Sequence, residues 1–597
     1  MGLIKPVAHA VFSLLVLLWM AGSPAVLART PDGDCLTSDT ARIWVSPGTA
    51  NAQRTIRVLG VSTEEPADTL SVIDDQGREA PVRTTSGGGP PWSLRGTLSL
   101  EPHETIRLEL RRGERMLACR RLDADDPASW EQRADDGWTL PVEAFYAAWI
   151  EILFDAPAAD TLSFKSLEPV IRDPQRNILF NHLGQNEDAR LPATPDCADL
   201  PYFLRAYFAW KIGLPVSWRA CDRGTGNRPP RCGPPTIDTR FTRGSASAAS
   251  FSGLMRQVAD TVHSGSARTG LADESTDFYP VALERAVLWP GTVYADPYGH
   301  TLIIAKWLPP AAGHSGLLLA ADAQPDNSVA RKRFWEGNFL FATTAAAGPG
   351  FKAFRPLLRD GGQWRLPGNA WLSVHAPAGG FSDEQAGMAP DDFYATVGKQ
   401  INPQGLAPEQ AYDAMLDALV EQLETRVEAV ENGEHYVRQH RGAVIPMPAA
   451  AAIFQTTGAW EDYATPSRDL RLLIALKVLN RLPQQMTAYP SLFTFGGRSP
   501  EEARHALEAR HEQRIHDRHF TYTRSDGSPW QLSVAEVFER REALEMGYNP
   551  NTCVEYRWGA VPGSPEAETC TRQAPADQLA RMAQYRSWFR NTQRPIQ

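Results

Sequence analysis

The sequence predicts a multidomain protein in three parts: an N-terminal β-sandwich, a central α+β domain and a mainly helical C-terminal region. Three observations lead there. At 597 residues the chain is too long for one core. Its segments between Cys35 and about Asp125 alternate apolar and polar residues with period two, whereas those after Gly405 repeat with helical spacing.

The strand-like segments are Thr55-Ile-Arg-Val-Leu-Gly-Val, Leu70-Ser-Val-Ile, Ser93-Leu-Arg-Gly-Thr-Leu-Ser-Leu and Thr105-Ile-Arg-Leu-Glu-Leu. Turns at Asp75-Gln-Gly and Gly87-Gly-Gly-Pro-Pro separate them, as in a small sandwich. In the C-terminal region Tyr412, Met415, Leu416, Leu419, Leu423 and Val427 share a helix face, with Pro408 in the first turn. Asp469 to Leu482 and Pro500 to Arg518 read as further helices. The expected boundaries are 1–28 for a signal peptide, 29–125 for the sandwich, 126–400 for the α+β domain and 401–597 for the helical region.

Lys5, the apolar run Ala10 to Met20 and the small-residue site Val26-Leu27-Ala28 carry the signal-peptide reading. The run is shorter than the roughly 20 residues a membrane span needs, and Gly22 and Pro24 interrupt it. No transmembrane anchor is therefore expected after signal removal, and a periplasmic or secreted protein is. Net charge is −10, from 60 basic and 70 acidic residues, which argues against nucleic acid as a partner. The seven cysteines suit an oxidising compartment. Proximity suggests Cys221 with Cys232 and Cys553 with Cys570, and Cys35 with Cys119 would staple the sandwich. Cys197 is left over, and an unpaired thiol in an exported protein calls for a reason.

Cys197 opens Pro195-Asp-Cys-Ala-Asp-Leu-Pro-Tyr-Phe-Leu-Arg-Ala-Tyr-Phe-Ala-Trp-Lys-Ile-Gly-Leu-Pro215. Asp196 suits an N-cap; Leu200, Phe203, Leu204, Tyr207, Phe208 and Ile212 make a broad apolar stripe; Gly213 and Pro215 end the helix. A cysteine at a helix amino end faces unpaired N–H groups and the positive end of the macrodipole, which favour a thiolate. The plainer reading is a buried structural cysteine, but an apolar residue would fill that role without the redox risk.

Asp196-Cys197 opening a helix that closes with Gly213-Leu214-Pro215-Val216 resembles the nucleophile segment of transglutaminase-like proteins. It is also similar to the wider papain-like superfamily, including bacterial cell-wall endopeptidases. The resemblance covers about residues 195–325. It implies a papain-like α+β domain and an order of Cys on a helix, His on a strand, then Asp, Asn or another polar group on the next strand. The Cys–His separation is longer than in compact members and requires an insertion, which Ala220 to Ser266 supplies.

His300 fits the second position. Asp296-Pro-Tyr-Gly reads as a turn, Thr301 to Trp307 as a strand, Leu308 to Ser315 as a loop and Gly316 to Ala321 as the returning strand. His300 and Asp322 lie symmetrically about residue 311, so the hairpin is expected to set them opposite each other. Cys197 would then be nucleophile, His300 general base and acid, and Asp322 the group that orients the imidazole. Asp326 and Asn327 replace Asp322 if the register slips. His314 falls in the loop, His375 begins a Pro-Gly loop, and His182 precedes Cys197. The Cys197 N–H and Gln185 or Asn186 are the candidate oxyanion donors.

His505, His511, His516 and His519 share a helical stretch with many Arg and Glu residues and read as a solvated face rather than a metal site. No metal or organic cofactor is implied. The expected activity is cysteine-dependent hydrolysis of, or acyl transfer from, peptide amides. The partners are peptide or protein substrates, with cell-wall (peptidoglycan) stem peptides ahead of proteins. Arg205 or Arg219 would offset the negative charge toward acidic stems. The alternative is a non-catalytic periplasmic binding or assembly protein on a transglutaminase-like scaffold.

Overall fold

The structure is a computed structural model that describes residues 28–29, 35–48, 55–132, 134–158, 160, 162–244, 246–311, 314–440, 442–454 and 458–595. The signal-peptide reading, except its last residue, lies outside the described residues. No helix among the described residues is long and apolar enough to cross a membrane.

The N-terminal region is built from two four-stranded antiparallel sheets. One joins β1 (Ala41–Ser46), β2 (Thr55–Ser62), β5 (Thr84–Ser86) and β6 (Trp92–Ser99) in the order β1-β2-β6-β5. The other joins β3 (Thr69–Asp74), β4 (Glu79–Pro81), β7 (Thr105–Arg112) and β8 (Arg115–Asp123) in the order β8-β7-β3-β4. Period-two alternation turns Ile43, Val45, Ile56 and Val58 of the first sheet and Leu70, Leu108 and Leu110 of the second into one shared core. The Cys35–Cys119 disulfide ties the entry of this region to β8.

The next region is organised by a seven-stranded antiparallel sheet. Its strands are β9 (Ser163–Phe164), β12 (Phe278–Pro280), β13 (Val293–Ala295), β14 (Thr301–Leu308), β15 (Leu317–Ala323), β16 (Val329–Arg333) and β17 (Gly350–Phe354), in the order β9-β16-β15-β14-β13-β17-β12. Helices α1 (Leu140–Leu153) and α2 (Asp199–Ile212) share a core with Val293, Ala295, Ile303, Ala305, Ala321 and Ala323 from one face of the sheet. Tyr294, Leu302, Ile304, Leu318 and Ala320 face a second, aromatic-rich core with Phe339, Phe351 and Phe393. Strands buried on both faces explain why Thr301 to Trp307 is apolar almost throughout.

Between α2 and the sheet, the Ala220 to Ser266 segment carries half of a disulfide-closed hairpin. Here β10 (Val216–Cys221) pairs with β11 (Cys232–Asp238), and Cys221 lies opposite Cys232, to which it is bonded.

The C-terminal region is mainly helical. It contains α3 (Pro408–Gln439), α4 (Pro466–Ala488), α5 (Pro500–Asp517) and α6 (Ala576–Arg590), with one hairpin of β18 (His519–Thr523) and β19 (Pro529–Ser533). A buried Arg426–Asp469 pair links α3 to α4 through two hydrogen bonds of 3.0 and 2.8 Å. The Cys553–Cys570 disulfide pins the segment before α6.

Candidate functional site

The three disulfides account for six cysteines and leave Cys197 alone unpaired. Cys197 sits in the turn that leads into α2. The Asp196 carboxylate accepts hydrogen bonds from the N–H groups of Ala198 at 2.8 Å and Asp199 at 2.9 Å, closing the helix start. At the other end Gly213 adopts φ 75° and stops the helix.

α2 is held in place by an interior polar anchor. The Lys211 Nζ, fully buried, donates to Glu187 at 2.5 Å and Asp188 at 2.8 Å. Asp188 also accepts from the Tyr207 hydroxyl at 2.8 Å, and Tyr207 stacks on Trp149 of α1 at 5.6 Å.

His300 lies at the end of the Asp296–Gly299 turn, where the Asp296 N–H donates to the His300 carbonyl at 2.9 Å. Its Nε2 is 2.6 Å from Asp322 Oδ2, with the imidazole 11% exposed and the carboxylate fully buried. The two are not directly opposed. Ile303 pairs with Ala321 and Ile304 with Ala320, and a bulge before Lys306 shifts the ladder relative to a symmetric hairpin. Continuing that register sets Asp322 opposite Leu302, so His300 is its diagonal neighbour, within reach of a long side chain.

The turn of Cys197 lies near this strand end: the Thr301 N–H, Asp322 and Arg471 are all close enough to act on the thiol electrostatically. Nε2 is the imidazole nitrogen engaged by Asp322.

Asp322 Oδ2 gathers three donors: His300, Gln324 Nε2 at 2.7 Å, and the Lys332 ammonium. Its Oδ1 is buried and has no hydrogen-bond partner among the described residues. Asp296 is also buried, and accepts from Arg471 of α4 at 2.8 Å. The helical region thus reaches the turn that carries His300. Arg594 does the same, donating to the carbonyls of Tyr298 at 2.5 Å and Phe454 at 2.8 Å.

The charges settle in an unexpected direction. Burial pushes the Cys197 thiol up to about 12, and Asp196 and Asp322 add to the rise against the Thr301 N–H and Arg471. Burial and Arg471 hold His300 below its ordinary value, despite Asp322. Burial alone would raise Asp322, but Lys332 and His300 outweigh it and keep the carboxylate well below its usual range. At neutral pH the thiol and the imidazole are therefore each uncharged, not the thiolate anticipated from the helix end.

The other sequence candidates lie elsewhere. Gln185 belongs to the loop whose Glu187 binds Lys211, near the carboxyl end of α2, whereas Cys197 precedes the amino end. A helix of that length spans about 20 Å, so neither Gln185 nor Asn186 is brought to the sulfur. Asp326 closes its own turn, accepting from the Ser328 N–H at 3.0 Å and hydroxyl at 2.6 Å. His182 is buried against Ser46 at 3.1 Å. His375 ends a short helix rather than opening a loop.

Arg205 is buried in a two-bond pair with Glu143 over Trp138, and Arg219 is buried near Asp277, so neither compensates charge at the site. The site's cations are instead Arg268, Lys332 and Arg471, which no local motif marks.

Among the described residues, the one group with metal-ligand geometry is Cys553, Glu555 and Cys570, whose sulfurs are joined in a disulfide. His511 bonds to Tyr412 at 3.1 Å, while His505 and His516 pair with glutamates on their own helix. Comparison with family models, with curated proteins and with solved structures finds no match to this chain.

Proposed function

We propose that the chain is an exported cysteine-dependent enzyme, of transglutaminase-like or papain-like type, that acts on peptide amides by hydrolysis or acyl transfer. The observation that carries this reading is that the one unbridged cysteine, in the turn before a helix, has Asp322 of the His300–Asp322 pair among the charges that act on its thiol. Three disulfides support an oxidising compartment.

A neutral resting pair defines the chemistry. As the Cys197 sulfur attacks the amide carbon, His300 takes the thiol proton. Asp322 stabilises the imidazolium that forms and holds its ring. His300 then gives that proton to the departing amine, leaving a thioester. Water releases the acid, or a second amine takes the acyl group. The Cys197 N–H supplies an oxyanion donor at the helix start.

Incubating the protein and its Cys197→Ala variant with wall fragments and with proteins, read by mass, tests this. Cleavage or crosslinking lost in the variant is expected. A second reading, a binding or assembly protein on the same scaffold, is favoured by the burial that raises the Cys197 thiol. Tight binding without any change in the substrates would make that reading the better one.

A further inference from the structure

Of the three cations at the candidate site, Lys332 is bonded to Asp322 and Arg471 to Asp296, whereas Arg268 forms no ion pair among the described residues. Arg268 is half-buried and follows the short helix Ser264–Ala267. Its guanidinium makes two contacts, both at the long end of the hydrogen-bond range: Nε donates to the Ser264 carbonyl at 3.4 Å and Nη1 to the Pro297 carbonyl at 3.3 Å. The second contact lays it on the turn that carries His300. A Cβ added at Gly299, the residue before His300, would stand 3.9 Å from the Arg268 Cζ. The Cys197 sulfur and Asp296 are among the charges that act on Arg268. Asp296 is already taken, since it accepts from the Tyr298 N–H at 2.5 Å and from Arg471 at 2.8 Å. The edge formed by Nη1 and Nη2 therefore keeps donors for a two-pronged bond to a carboxylate. Arg223 is exposed and repels Arg268, and its neighbour Asp222 is paired with Arg228 at 2.9 Å. An anion held by both arginines relieves that repulsion. Asp196 and Asp322 oppose an anion near the sulfur, and Arg268 is the site cation with a fork left to outweigh them.

Resting on the functional reading above, we propose that Arg268 is a specificity-determining residue: it holds a carboxylate of the substrate beside the amide that Cys197 attacks, with Arg223 adding to the attraction. The substrate class is then a peptide whose reacting amide lies next to an acidic side chain or a chain-terminal carboxylate. Either source presents the same planar pair of oxygens to the fork. The net charge of −10 does not disfavour such a ligand. Exposed charges farther away than about 8 Å are largely screened at physiological salt, and a half-buried contact pair is screened much less.

Two alkylating reagents test this on the full chain without turnover. Iodoacetate and iodoacetamide both form a carbon–sulfur bond and release iodide, and they differ in whether a carboxylate or an amide adjoins the reacting carbon. Mass mapping gives the rate of each at Cys197. Their ratio cancels the fraction of thiolate, which a change at Arg268 also moves. At low salt the iodoacetate-to-iodoacetamide ratio should fall at least about ten-fold in Arg268→Gln, less in Arg223→Gln, and recover in part in Arg268→Lys. In the unmodified chain it should decline as salt is added. Arg268 gives up only two long contacts, so the fold should survive, and Arg268→Lys controls for its loss. A ratio that Arg268→Gln leaves unchanged, a ratio that Arg268→Lys lowers as far as Arg268→Gln does, or a Cys197 that neither reagent reaches would overturn the proposal. Cleavage of paired peptides by the unmodified chain, Glu against Gln beside the amide and free against amidated chain end, tells the two carboxylate sources apart; equal rates within both pairs would also overturn it. Cys197-dependent cleavage without the reagent preference sinks the role of Arg268 alone, and the reagent preference without cleavage sinks the enzyme reading alone.

Discussion

Replacing Asp196 by Asn should make Cys197 more reactive. The side-chain oxygen that closes the α2 amino end is retained, because Asn caps helices as well as Asp. What is lost is one negative charge beside a thiol already pushed up to about 12 by burial, Asp196 and Asp322. At about pH 8 such a thiol is about one part in 10⁴ thiolate, against about a quarter for an ordinary cysteine. The greater intrinsic nucleophilicity of a high-pKa thiolate recovers about one and a half orders of magnitude. Wild-type alkylation by iodoacetamide should therefore be about a hundred-fold slower than that of a free cysteine, and still rising at pH 9.

Asp196 is exposed and its effect is screened, so its removal should lower the thiol by about one unit or less. That gives up to about ten-fold more thiolate, each about three-fold less nucleophilic, for a net gain of about three-fold at low salt. The gain should shrink toward nothing in about 0.5 M salt. Mass mapping without reductant reads the rate at Cys197 directly. A wild-type rate that levels off below pH 8, or a variant no faster than wild type at unchanged thermal stability, would refute the electrostatic account.

Asp322→Asn removes the charge that would stabilise an imidazolium, and should lower kcat/KM by about 10³- to 10⁴-fold while the chain still folds, as circular dichroism would show. Because His300 is held below its ordinary value, the acid limb of the pH–rate profile should lie below pH 6.5; a limb above 6.5 would contradict the geometry. Lys211→Met strands Glu187 and Asp188 without their cation and should cost about 3–5 kcal/mol in denaturant unfolding. His182 is lowered to about 3, chiefly by burial, so between pH 6.5 and 3 the unfolded chain binds the proton and the folded chain does not. Stability should fall with pH across that window, and His182→Gln should flatten the fall if its amide keeps the bond to Ser46.

The parts of the fold that local chemistry dictates could be read from the sequence. Asp196 and Gly213 bracket α2 because one side chain accepts helix N–H groups and the other residue tolerates positive φ. The cysteine pairs follow from proximity and from the period-two strands that bring Cys35 and Cys119 together. The hairpin of β14 and β15 follows from Pro309 and Pro310, which end the first strand. Its register does not, because the bulge before Lys306 has no signature in an apolar run. Gln185 precedes Cys197 in sequence, as the resemblance implies for an oxyanion donor, but the buried Lys211 anchor ties its loop to the far end of the helix. The thiol departs from expectation for a related reason. A helix amino end favours a thiolate only where burial and neighbouring carboxylates do not outweigh it, and those neighbours are set by tertiary packing.

That packing makes the helical region part of the site rather than an appendage. Arg471 reaches from α4 to the buried Asp296 in the turn that carries His300. It lowers the proton affinity of both His300 and Cys197. A change at that one side chain therefore moves the imidazole and the thiol together, and leaves the difference between them, which governs proton transfer, less affected than either. Asp196 and Lys332 act differently: Asp196 raises the thiol, whereas Lys332 lowers the imidazole. Asp322 binds the imidazole and opposes the thiolate at once. It thereby favours the state with the proton on His300 only when the developing negative charge moves from the sulfur to the substrate oxygen. For the proposed reaction, that arrangement suits attack in which proton removal and carbon–sulfur bond formation proceed together, and it gives no advantage to an ion pair formed in advance.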